Sequence, residues 1–350
     1  MMFISDNTGP AHPAIMDAVV AANMGQATPY GVDNITEHAR IAVRNVFDAP
    51  DAIVEFVSTG SVANALALAT FAAPWNGIFC HRIAHVEEDE CGAPEFYTGG
   101  AKLILIDGAE GKMDARALNT TIERAKGKGV HGVQPGPITL TNITEIGTAY
   151  TLDDIKAVTD VAKAHGLPVH MDGARFANAC VALNCSPAEM TWKLGIDVVS
   201  FGGTKNGCLG AEAVVIFDPA NARDLELRRK RGGHLLSKHR YLAAQMAAYL
   251  QDDLWLDLAR AANARMADLV AALGFIDGAR VCYPVAGNMA FVDLPKIAHQ
   301  RAFAAGAQYY LFPPDAMDHG GDDAPVRCRI VCDWSQTPQA VENLASAWRG

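Results

Sequence analysis

The 350-residue sequence lacks every cysteine spacing that is typical of a metal centre or a thiol–disulfide site. It contains eight cysteines but no CxxC, and its closest pairs, Cys180/Cys185 and Cys328/Cys332, do not have the spacing of zinc ligands. We therefore predict no metal site. We expect the thiols to be buried as small apolar side chains in a reducing compartment.

An excess of positive charge is also missing. The formal net charge is −10 and the pI is about 5.5, which argues against nucleic acid or an anionic membrane as a partner, despite a local basic cluster at Arg228–Arg231. No apolar run approaches the ~20 residues of a membrane span. The segment FISDNTGP (3–10), which follows Met1 and Met2, lacks the basic and apolar regions of a secretory leader. These features predict a cytoplasmic protein without a nucleic-acid or membrane partner.

Two nucleotide-binding motifs are absent as well. The sequence has no GxxxxGK[ST] loop, and no GxGxxG opens a strand–helix unit. The second absence argues against a nucleotide-binding oxidoreductase, because that class holds the pyrophosphate of its cofactor on such a glycine-rich turn.

Apolar runs and helical stretches alternate over the first 220 residues or so. Half of all residues are hydrophobic and 19% are charged, which is typical of a globular protein with one large core and a smaller satellite domain. The predicted strands of this part are 52–60, 77–81, 102–107, 136–142, 167–172, 197–203 and 211–218. Because several of them are separated by helical stretches and are apolar on both faces, they predict an α/β fold with a mostly parallel, covered sheet.

The pattern changes in the last third of the sequence. Long helical segments come first, and short strands and an amphipathic helix follow. These predicted elements are helices at 219–231, 235–250, 253–273 and 337–349, and strands at 280–284, 288–294, 308–312 and 327–332. We predict a large domain over residues 1–235, and linking helices with a small α+β domain over residues 236–350.

Reactive side chains follow several of the predicted strands, at the edge where parallel sheets bind their ligands. They are Gly60–Ser61 at the start of a helix, His85, Asp172 with Arg175, and Lys205. Taken singly, each has a structural alternative: a tight turn with a helix cap, a hydrogen-bonded loop histidine, a salt-bridged pair, or a lysine at the rim of the sheet.

Together these residues fit pyridoxal 5′-phosphate (PLP) better than any other chemistry. PLP needs a lysine that bonds to its aldehyde, an acidic partner for its ring nitrogen and an anion site for its phosphate. Asp172 and Lys205 are 33 residues apart, one strand–helix–strand unit, which predicts neighbouring or near-neighbouring strand ends. A lysine desolvated there has a lowered pKa and becomes a competent nucleophile. We expect Gly202 and Gly203 to let the backbone approach the cofactor.

The same segments resemble the threonine aldolase / aromatic amino acid β-eliminating lyase family of fold-type I PLP enzymes, over nearly the whole chain. The matching motifs are SDNTGP (5–10), PYGVDNITEHAR (29–40), STGSVANALAL (58–68), AHVEEDECGAPEF (84–96), HMDGARFANA (170–179) and SFGGTKNG (200–207). Val32 departs from the YGDD segment of the family. The bacterial low-specificity L-threonine aldolases and the phenylserine aldolases look most similar. The resemblance implies an aspartate aminotransferase-like large domain and a small C-terminal α+β domain.

The resemblance also implies roles for the matching positions. The residues that would hold PLP are Gly60, Ser61, Asn64, His85, Asp172, Thr204 and Lys205, and Arg229, with Arg228 as its alternative, would reach the phosphate of a partner subunit. Those that would bind the substrate are Ser5, Tyr30, Arg175 and Arg329, with Arg327 as the competitor of Arg329. Those that would take part in catalysis are Lys205, His85, Asp172 and Asp89. His85 would stack on the ring, with Asp89 beside it. The base that removes the β-hydroxyl proton stays open: it is His85 acting directly, His85 acting through a water molecule, or His85 together with Asp89.

The reaction implied by the resemblance is aldol cleavage of an L-β-hydroxy-α-amino acid to glycine and an aldehyde. L-Threonine, L-allo-threonine and L-phenylserine are the expected substrates, and a homodimer or homotetramer with active sites at the subunit interface is the expected form. A β-eliminating lyase, an aminotransferase and a hydroxymethyltransferase-like enzyme remain alternatives within the same fold. A binding protein that kept the fold without the chemistry is a further alternative.

Overall fold

The chain is built around two β-sheets and fourteen α-helices, and the computed structural model describes residues 1–350. The strands are β1 (Ile53–Val57), β2 (Asn76–His81), β3 (Lys102–Ile106), β4 (Gln134–Thr141), β5 (Val169–Gly173), β6 (Val198–Gly202), β7 (Glu212–Ile216), β8 (Arg280–Val281), β9 (Met289–Pro295), β10 (Tyr310–Phe312) and β11 (Pro325–Val331). The helices are α1 (Pro13–Ala22), α2 (Asn34–Val46), α3 (Gly60–Phe71), α4 (His85–Glu88), α5 (Ala93–Thr98), α6 (Ala115–Lys126), α7 (Leu152–His165), α8 (Phe176–Leu183), α9 (Pro187–Met190), α10 (Ala222–Arg231), α11 (Arg240–Leu250), α12 (Leu254–Leu273), α13 (Lys296–Ala304) and α14 (Pro338–Arg349). None of the helices is both long and apolar enough to cross a membrane.

The larger sheet has seven strands in the order β1-β7-β6-β5-β4-β2-β3. Strand β7 is antiparallel to both of its neighbours, and β6, β5, β4, β2 and β3 pair in parallel. Strands β5, β6 and β7 are buried along their whole length, as expected for a sheet that is covered on both faces. The predicted mostly parallel sheet is therefore confirmed, and all seven predicted strands are present.

Helix α3 illustrates how the local sequence places the ends of elements. Thr59 caps it, because its side-chain oxygen accepts a hydrogen bond from the backbone N–H of Val62 at 3.4 Å. The body of the helix is rich in alanine and leucine, and Leu66 packs with Val198 and Val214 of the sheet. The N-terminus of α3 is thereby fixed at the carboxyl end of β1.

The smaller sheet is antiparallel, with the order β10-β11-β9-β8. Its core cluster of 18 buried residues includes Phe3 from the N-terminal segment, whereas Tyr249 and Trp255, from α11 and α12, belong to the larger core. Each of the two cores therefore contains residues from both of the predicted domains. The division into residues 1–235 and 236–350 stays a prediction.

The stretch before α11 differs from the sequence prediction. A helix was predicted over 235–250, but α10 ends at Arg231 and α11 begins only at Arg240. Gly232 and Gly233 follow α10, and Gly233 adopts a positive φ of 81°, a conformation that ends a helix. Residues 232–239 therefore form a loop.

Candidate active site

A cavity of about 290 Å³ lies at the carboxyl ends of the parallel strands of the larger sheet. Strands β5 and β6 are adjacent and in register, with Asp172 opposite Ser200, so Asp172 and the residues that follow β6 reach the same space. The residues that line the cavity are Asn7, Ser58, Thr59, Gly60, Ser61, Asn64, His85, Thr141, Ile143, Glu145, Asp172, Ala174, Arg175, Thr204, Lys205 and Glu212. Eight of these were predicted as site residues from the sequence.

Lys205 presents its amine to this cavity. It lies in the short 3-10 turn Thr204–Asn206 directly after β6, and its Nζ makes no hydrogen bond within the chain. Burial lowers the pKa of Lys205, and the charge of Arg175 lowers it further, against the opposing charges of Asp6 and other nearby carboxylates. A lysine with a lowered pKa and no partner is prepared to act as a nucleophile.

The two glycines before Lys205 serve packing rather than approach to a ligand. A Cβ atom at Gly202 would lie 2.7 Å from the carbonyl oxygen of Ala174, and one at Gly203 would lie 2.7 Å from the carbonyl oxygen of Ala211. Backbone atoms of the neighbouring segments thus occupy the space that a side chain would need. We expected Gly202 and Gly203 to allow close approach of the cofactor. This expectation is corrected, because the groups that approach them closely are backbone carbonyl groups of the protein itself.

Asp172 is held rigidly at the end of β5. Its Oδ1 accepts a hydrogen bond from the backbone N–H of Ala174 (2.9 Å), and its Oδ2 accepts one from Nδ2 of Asn64 (2.9 Å). The same amide nitrogen donates to Oε1 of Glu90 (2.8 Å). Both donors of Asn64 are thus committed to buried carboxylates, and its predicted phosphate role stays a prediction.

His85 is fixed by carboxylates at both its backbone and its ring. Its backbone N–H donates to Oε1 of Glu145 (2.8 Å), and its Nδ1 lies 2.8 Å from Oε1 of Glu90. The hydrogen bond to Glu90 raises the pKa of His85, although burial opposes the shift. Asp89, predicted to lie beside His85, is exposed, and the ring partner is the next residue, Glu90.

The turn before α3 forms the opposite end of the cavity. Residues 58–61 line it with hydroxyl groups and with the first N–H groups of a twelve-residue helix, an arrangement that suits an anion. Gly60 leaves open space, since no atom lies within 4 Å of the position of a Cβ. Thr204 reaches this region too, and its Oγ1 accepts a hydrogen bond from the backbone N–H of Ala211 at 3.2 Å.

Arg175 is paired within the chain. Its Nε and Nη2 donate to the two carboxylate oxygens of Asp6 at 2.7 and 3.0 Å, and Asn288 donates to the same carboxylate at 3.0 Å. Ser5 caps the turn that carries Asp6 and does not line the cavity. Nη1 of Arg175 has no partner in the protein, so the guanidinium keeps donors for a ligand carboxylate.

The geometry separates the two candidate arginines on β11. Nε and Nη2 of Arg327 donate to the two carboxylate oxygens of Asp293, at 2.8 and 3.1 Å. Arg329 makes one long hydrogen bond, from Nη2 to the carbonyl oxygen of Ile4 (3.4 Å), and its guanidinium lies 5.2 Å from the ring centroid of Tyr310, whereas its buried Nε has no hydrogen-bond partner. Arg329 contacts Ile4 and Arg175 contacts Asp6 of the same N-terminal segment, and burial lowers the pKa of Arg329, with the positive charge of Arg175 lowering it further.

The predicted residues that do not line the cavity of their own chain are Ser5, Tyr30, Asp89, Arg229 and Arg329. Tyr30 is 47% exposed, and its ring lies against Nζ of Lys230, 4.7 Å from the ring centroid. Arg229 is buried and forms an ion pair with Glu55. The guanidinium of Arg229 shares this carboxylate with Arg40, and the role of Arg229 at a partner's phosphate stays a prediction.

Comparison with known proteins identifies the family. Residues 3–295 match the family described as Beta-eliminating lyase. The chain belongs to this family. It is 40% identical to a low specificity L-threonine aldolase of Pseudomonas aeruginosa, over 98% of this chain and 95% of that protein. It is 37% identical to a low specificity L-threonine aldolase of Pseudomonas sp. (strain NCIMB 10558), over 98% and 96% of the two chains.

A solved structure of a Leishmania major threonine aldolase superimposes on the chain with a TM-score of 0.91 at 25% identity, covering 99% of this chain and 98% of the other. The predicted fold-type I architecture is thus confirmed. Members of the β-eliminating lyase family are PLP enzymes.

Several residues of this β-eliminating lyase family member escaped the sequence-based reasoning. Eight residues that line the cavity were not predicted, among them Glu145 and Glu212, and two residues next to it, Asp6 and Glu90, were also missed. Glu145 follows the carboxyl end of β4. The rule that ligands bind at the carboxyl ends of parallel strands, which located Asp172 and Lys205, could therefore have located Glu145 as well. Burial raises the pKa of Glu145, and likewise that of Glu212, to about 7.

Proposed function

We propose that the protein binds PLP through Lys205 and cleaves L-β-hydroxy-α-amino acids to glycine and an aldehyde. L-Threonine and L-allo-threonine are the proposed substrates, with L-phenylserine as a further one. The observation that carries the proposal is the position of the free amine of Lys205 next to the fixed carboxylate of Asp172, on adjacent strand ends of one cavity. The similarity to low specificity L-threonine aldolases supports the same reaction.

The residues present fit this cofactor. The hydroxyl groups and N–H groups of residues 58–61 suit its phosphate, with Thr204 beside them. Asp172, held by Asn64 and the backbone of Ala174, suits a protonated ring nitrogen. When bound, PLP would supply an electron sink for the electron pair that is left at the substrate Cα.

Arg175 and Arg329 would bind the substrate carboxylate. Both have donors without a partner in the protein, and Asp6 fixes the orientation of Arg175 from the other side. A carboxylate held by two guanidinium groups fixes the orientation of the Cα atom, and so selects the bond to Cβ for cleavage.

His85 would accept the proton of the β-hydroxyl group. Its ring lies in the cavity wall, with Nδ1 bound to Glu90, so Nε2 is the nitrogen available to a substrate. Transfer of this proton lets the Cβ–O bond become a carbonyl as the Cα–Cβ bond breaks.

We further propose that the protein forms a homodimer or homotetramer in the cytoplasm. Tyr30 supports a subunit interface, because it is exposed and lies away from the cavity of its own chain. Helix α1 exposes Met16 and Val20, and Met24 is exposed just after its end; together they form an apolar surface of the kind that subunit contacts cover.

The direct test is an assay of the PLP-loaded protein with L-threonine, L-allo-threonine and both phenylserine diastereomers. We expect glycine and the matching aldehyde. We also expect a visible absorbance band of the lysine-bound cofactor, which Lys205→Ala abolishes and Lys193→Ala keeps, since Lys193 is a surface residue paired with Asp48. Release of pyruvate and ammonia instead would indicate a β-eliminating lyase, and a protein that never takes up PLP would contradict the proposal altogether.

A further inference from the structure

A buried chain of hydrogen bonds connects His85 with Asp172 through two residues that the proposed reaction does not use. Nδ1 of His85 lies 2.8 Å from Oε1 of Glu90. That oxygen also accepts a hydrogen bond from Nδ2 of Asn64 (2.8 Å), which in turn donates to Oδ2 of Asp172 (2.9 Å). One amide group thus holds two carboxylates together at the back of the cavity.

Glu90 is an unusual residue to bury. Its side chain is 0% exposed, and its second oxygen, Oε2, has no hydrogen-bond partner. A buried carboxylate without full hydrogen bonding costs stability, so a residue that only supported the fold would be better replaced by an apolar or amide side chain. What distinguishes Glu90 from its exposed neighbours on the same segment is its contact with the ring of His85.

We propose that Glu90 is a positioning residue of the aldol cleavage, which keeps a proton on Nδ1 of His85 and leaves Nε2 to accept the proton of the substrate's β-hydroxyl. This inference rests on the proposed function. As the O–H bond breaks, an N–H bond forms at Nε2, the Cβ–O bond becomes a carbonyl and the electron pair of the Cα–Cβ bond stays at Cα. The imidazolium that results carries a positive charge next to the carboxylate of Glu90, which stabilises it.

The other charged groups around His85 do not supply this contact. Glu145 accepts the backbone N–H of His85 and the hydroxyl of Thr141, so it holds the start of α4 rather than the ring. Asp172 acts on the ring only at a distance, and the positive charge of Lys205 works against protonation. Glu90 is the acidic residue that touches an imidazole nitrogen of His85.

The test is a titration of the His85 ring by NMR in the cofactor-free protein, with the signal assigned by its loss in His85→Asn. Glu90→Gln keeps the size of the side chain and removes its charge. We expect the apparent pKa of His85 to fall by about one unit or more, since a neighbouring opposite charge shifts a pKa by about 1–3 units. Glu88→Gln removes the same charge from an exposed position on the same segment and should leave the titration unchanged.

The second readout is the pH dependence of kcat in the PLP-loaded enzyme. In Glu90→Gln, we expect kcat to fall about tenfold or more, because a positioned base contributes roughly 10²–10⁴-fold, and the acid limb of the profile to move to lower pH. Glu90→Asp keeps the charge but moves it away from the ring by one methylene group, so its His85 pKa and its kcat should lie between those of Glu90→Gln and the unchanged protein. If Glu90→Gln does not fold, Glu90→Asp is compared directly with the unchanged protein, and lower values of both quantities are expected.

The two proposals fail in different ways. Aldehyde release with an unmoved His85 titration in Glu90→Gln would overturn the role of Glu90 and leave the aldolase proposal intact. A shifted titration in a protein that releases no aldehyde from any of the substrates would overturn the proposed function, and with it the catalytic part of the inference.

Discussion

Arg327 and Arg329 lie two positions apart on β11, and the sequence alone could not separate them because residues i and i+2 of a strand point to the same face. The structure separates them by their partners. Asp293 binds Nε and Nη2 of Arg327 and also pairs with Arg280, whereas Arg329 has no acidic partner and keeps a buried Nε without a hydrogen bond. Arg329 can therefore offer two parallel donors to a substrate carboxylate without giving up an ion pair.

Replacement of the two arginines by lysine should therefore have different effects. Arg329→Lys should raise KM for L-threonine about tenfold or more, because a hydrogen bond to a charged group contributes about 1.5–3 kcal/mol and about 1.4 kcal/mol corresponds to tenfold. Arg327→Lys is the matched control and should leave KM within about twofold, since a partly exposed ion pair contributes little. Steady-state kinetics of both variants decides the question. Equal KM values would contradict the assignment.

The residues around His85 show where prediction from the sequence stops. Lys205 and Asp172 were predicted correctly as neighbours because both follow buried parallel strands, and strand ends are set by a simple rule. The acidic run 87–90 follows no such rule. Which carboxylate meets the histidine depends on how the chain turns after α4, where Cys91 adopts a positive φ of 52°, and a spacing of four or five residues cannot reveal that turn.

At the scale of elements, the N-terminus of α3 brings the turn 58–61 and the first N–H groups of the helix to the cavity. The turn and the helix were both predicted correctly from the sequence, and Thr59 is the residue that caps the helix. The glycines on the two sides of the cavity differ in kind. Gly60 faces open space, whereas Gly203 is enclosed by Ala211 and Cys208.

Alanine substitution of Gly60 and of Gly203 should therefore have opposite effects on the melting temperature. Gly60→Ala should keep or slightly raise the melting temperature, because alanine in a helix is favoured over glycine by roughly 0.5–1 kcal/mol. Its methyl group would take up cavity space beside the first N–H groups of α3, so the affinity for PLP should fall about tenfold or more, as for other lost hydrogen bonds to a charged group. Titration of the cofactor-free protein with PLP measures this affinity.

Gly203→Ala should instead lower the melting temperature. Its Cβ would lie 2.7 Å from the carbonyl oxygen of Ala211 and 2.8 Å from Sγ of Cys208, which is too close for either contact. If Gly60→Ala bound PLP as tightly as the unchanged protein, the phosphate would not lie at this helix. The sequence could not foresee the difference between the two glycines, because both occur in turns after a strand and only the neighbouring backbone distinguishes them.

At the scale of the whole molecule, distant segments meet at the cavity. Asp6 from the N-terminal turn joins Arg175 after β5 and Asn288 before β9, so one carboxylate links the large sheet to the small one. Burial alone would raise the pKa of Asp6, but the charges of Arg175 and Lys205 outweigh it and hold the pKa below its usual value. Such long-range contacts leave no local signal in a single sequence, which explains why the pattern of strands was predictable and this junction was not.

Assembly of the site also leaves Glu212 in a costly position. Glu212 is 6% exposed, and Oε2 accepts the backbone N–H of Gly203 at 2.8 Å, yet burial raises its pKa to about 7. Between its ordinary pKa and pH 7 the folded protein holds a proton that the unfolded chain has released. The contribution of Glu212 to the free energy of unfolding therefore falls as the pH rises through this window, and it becomes constant above it.

Glu212→Gln cannot lose that proton and keeps an oxygen for Gly203. Relative to the unchanged protein, its free energy of unfolding should therefore increase by roughly 2–3 kcal/mol between pH 5 and pH 8, at about 1.36 kcal/mol for each pKa unit. Urea unfolding of the cofactor-free proteins at the two pH values measures this difference.

His170 and His239, whose pKa values burial lowers to about 4, impose the opposite trend on the free energy of unfolding of both proteins, so their contributions cancel in the comparison. Exposed Glu88→Gln should show no pH-dependent gain. A Glu212→Gln gain that is the same at both pH values would mean that Glu212 is already ionised at pH 5 in the folded protein.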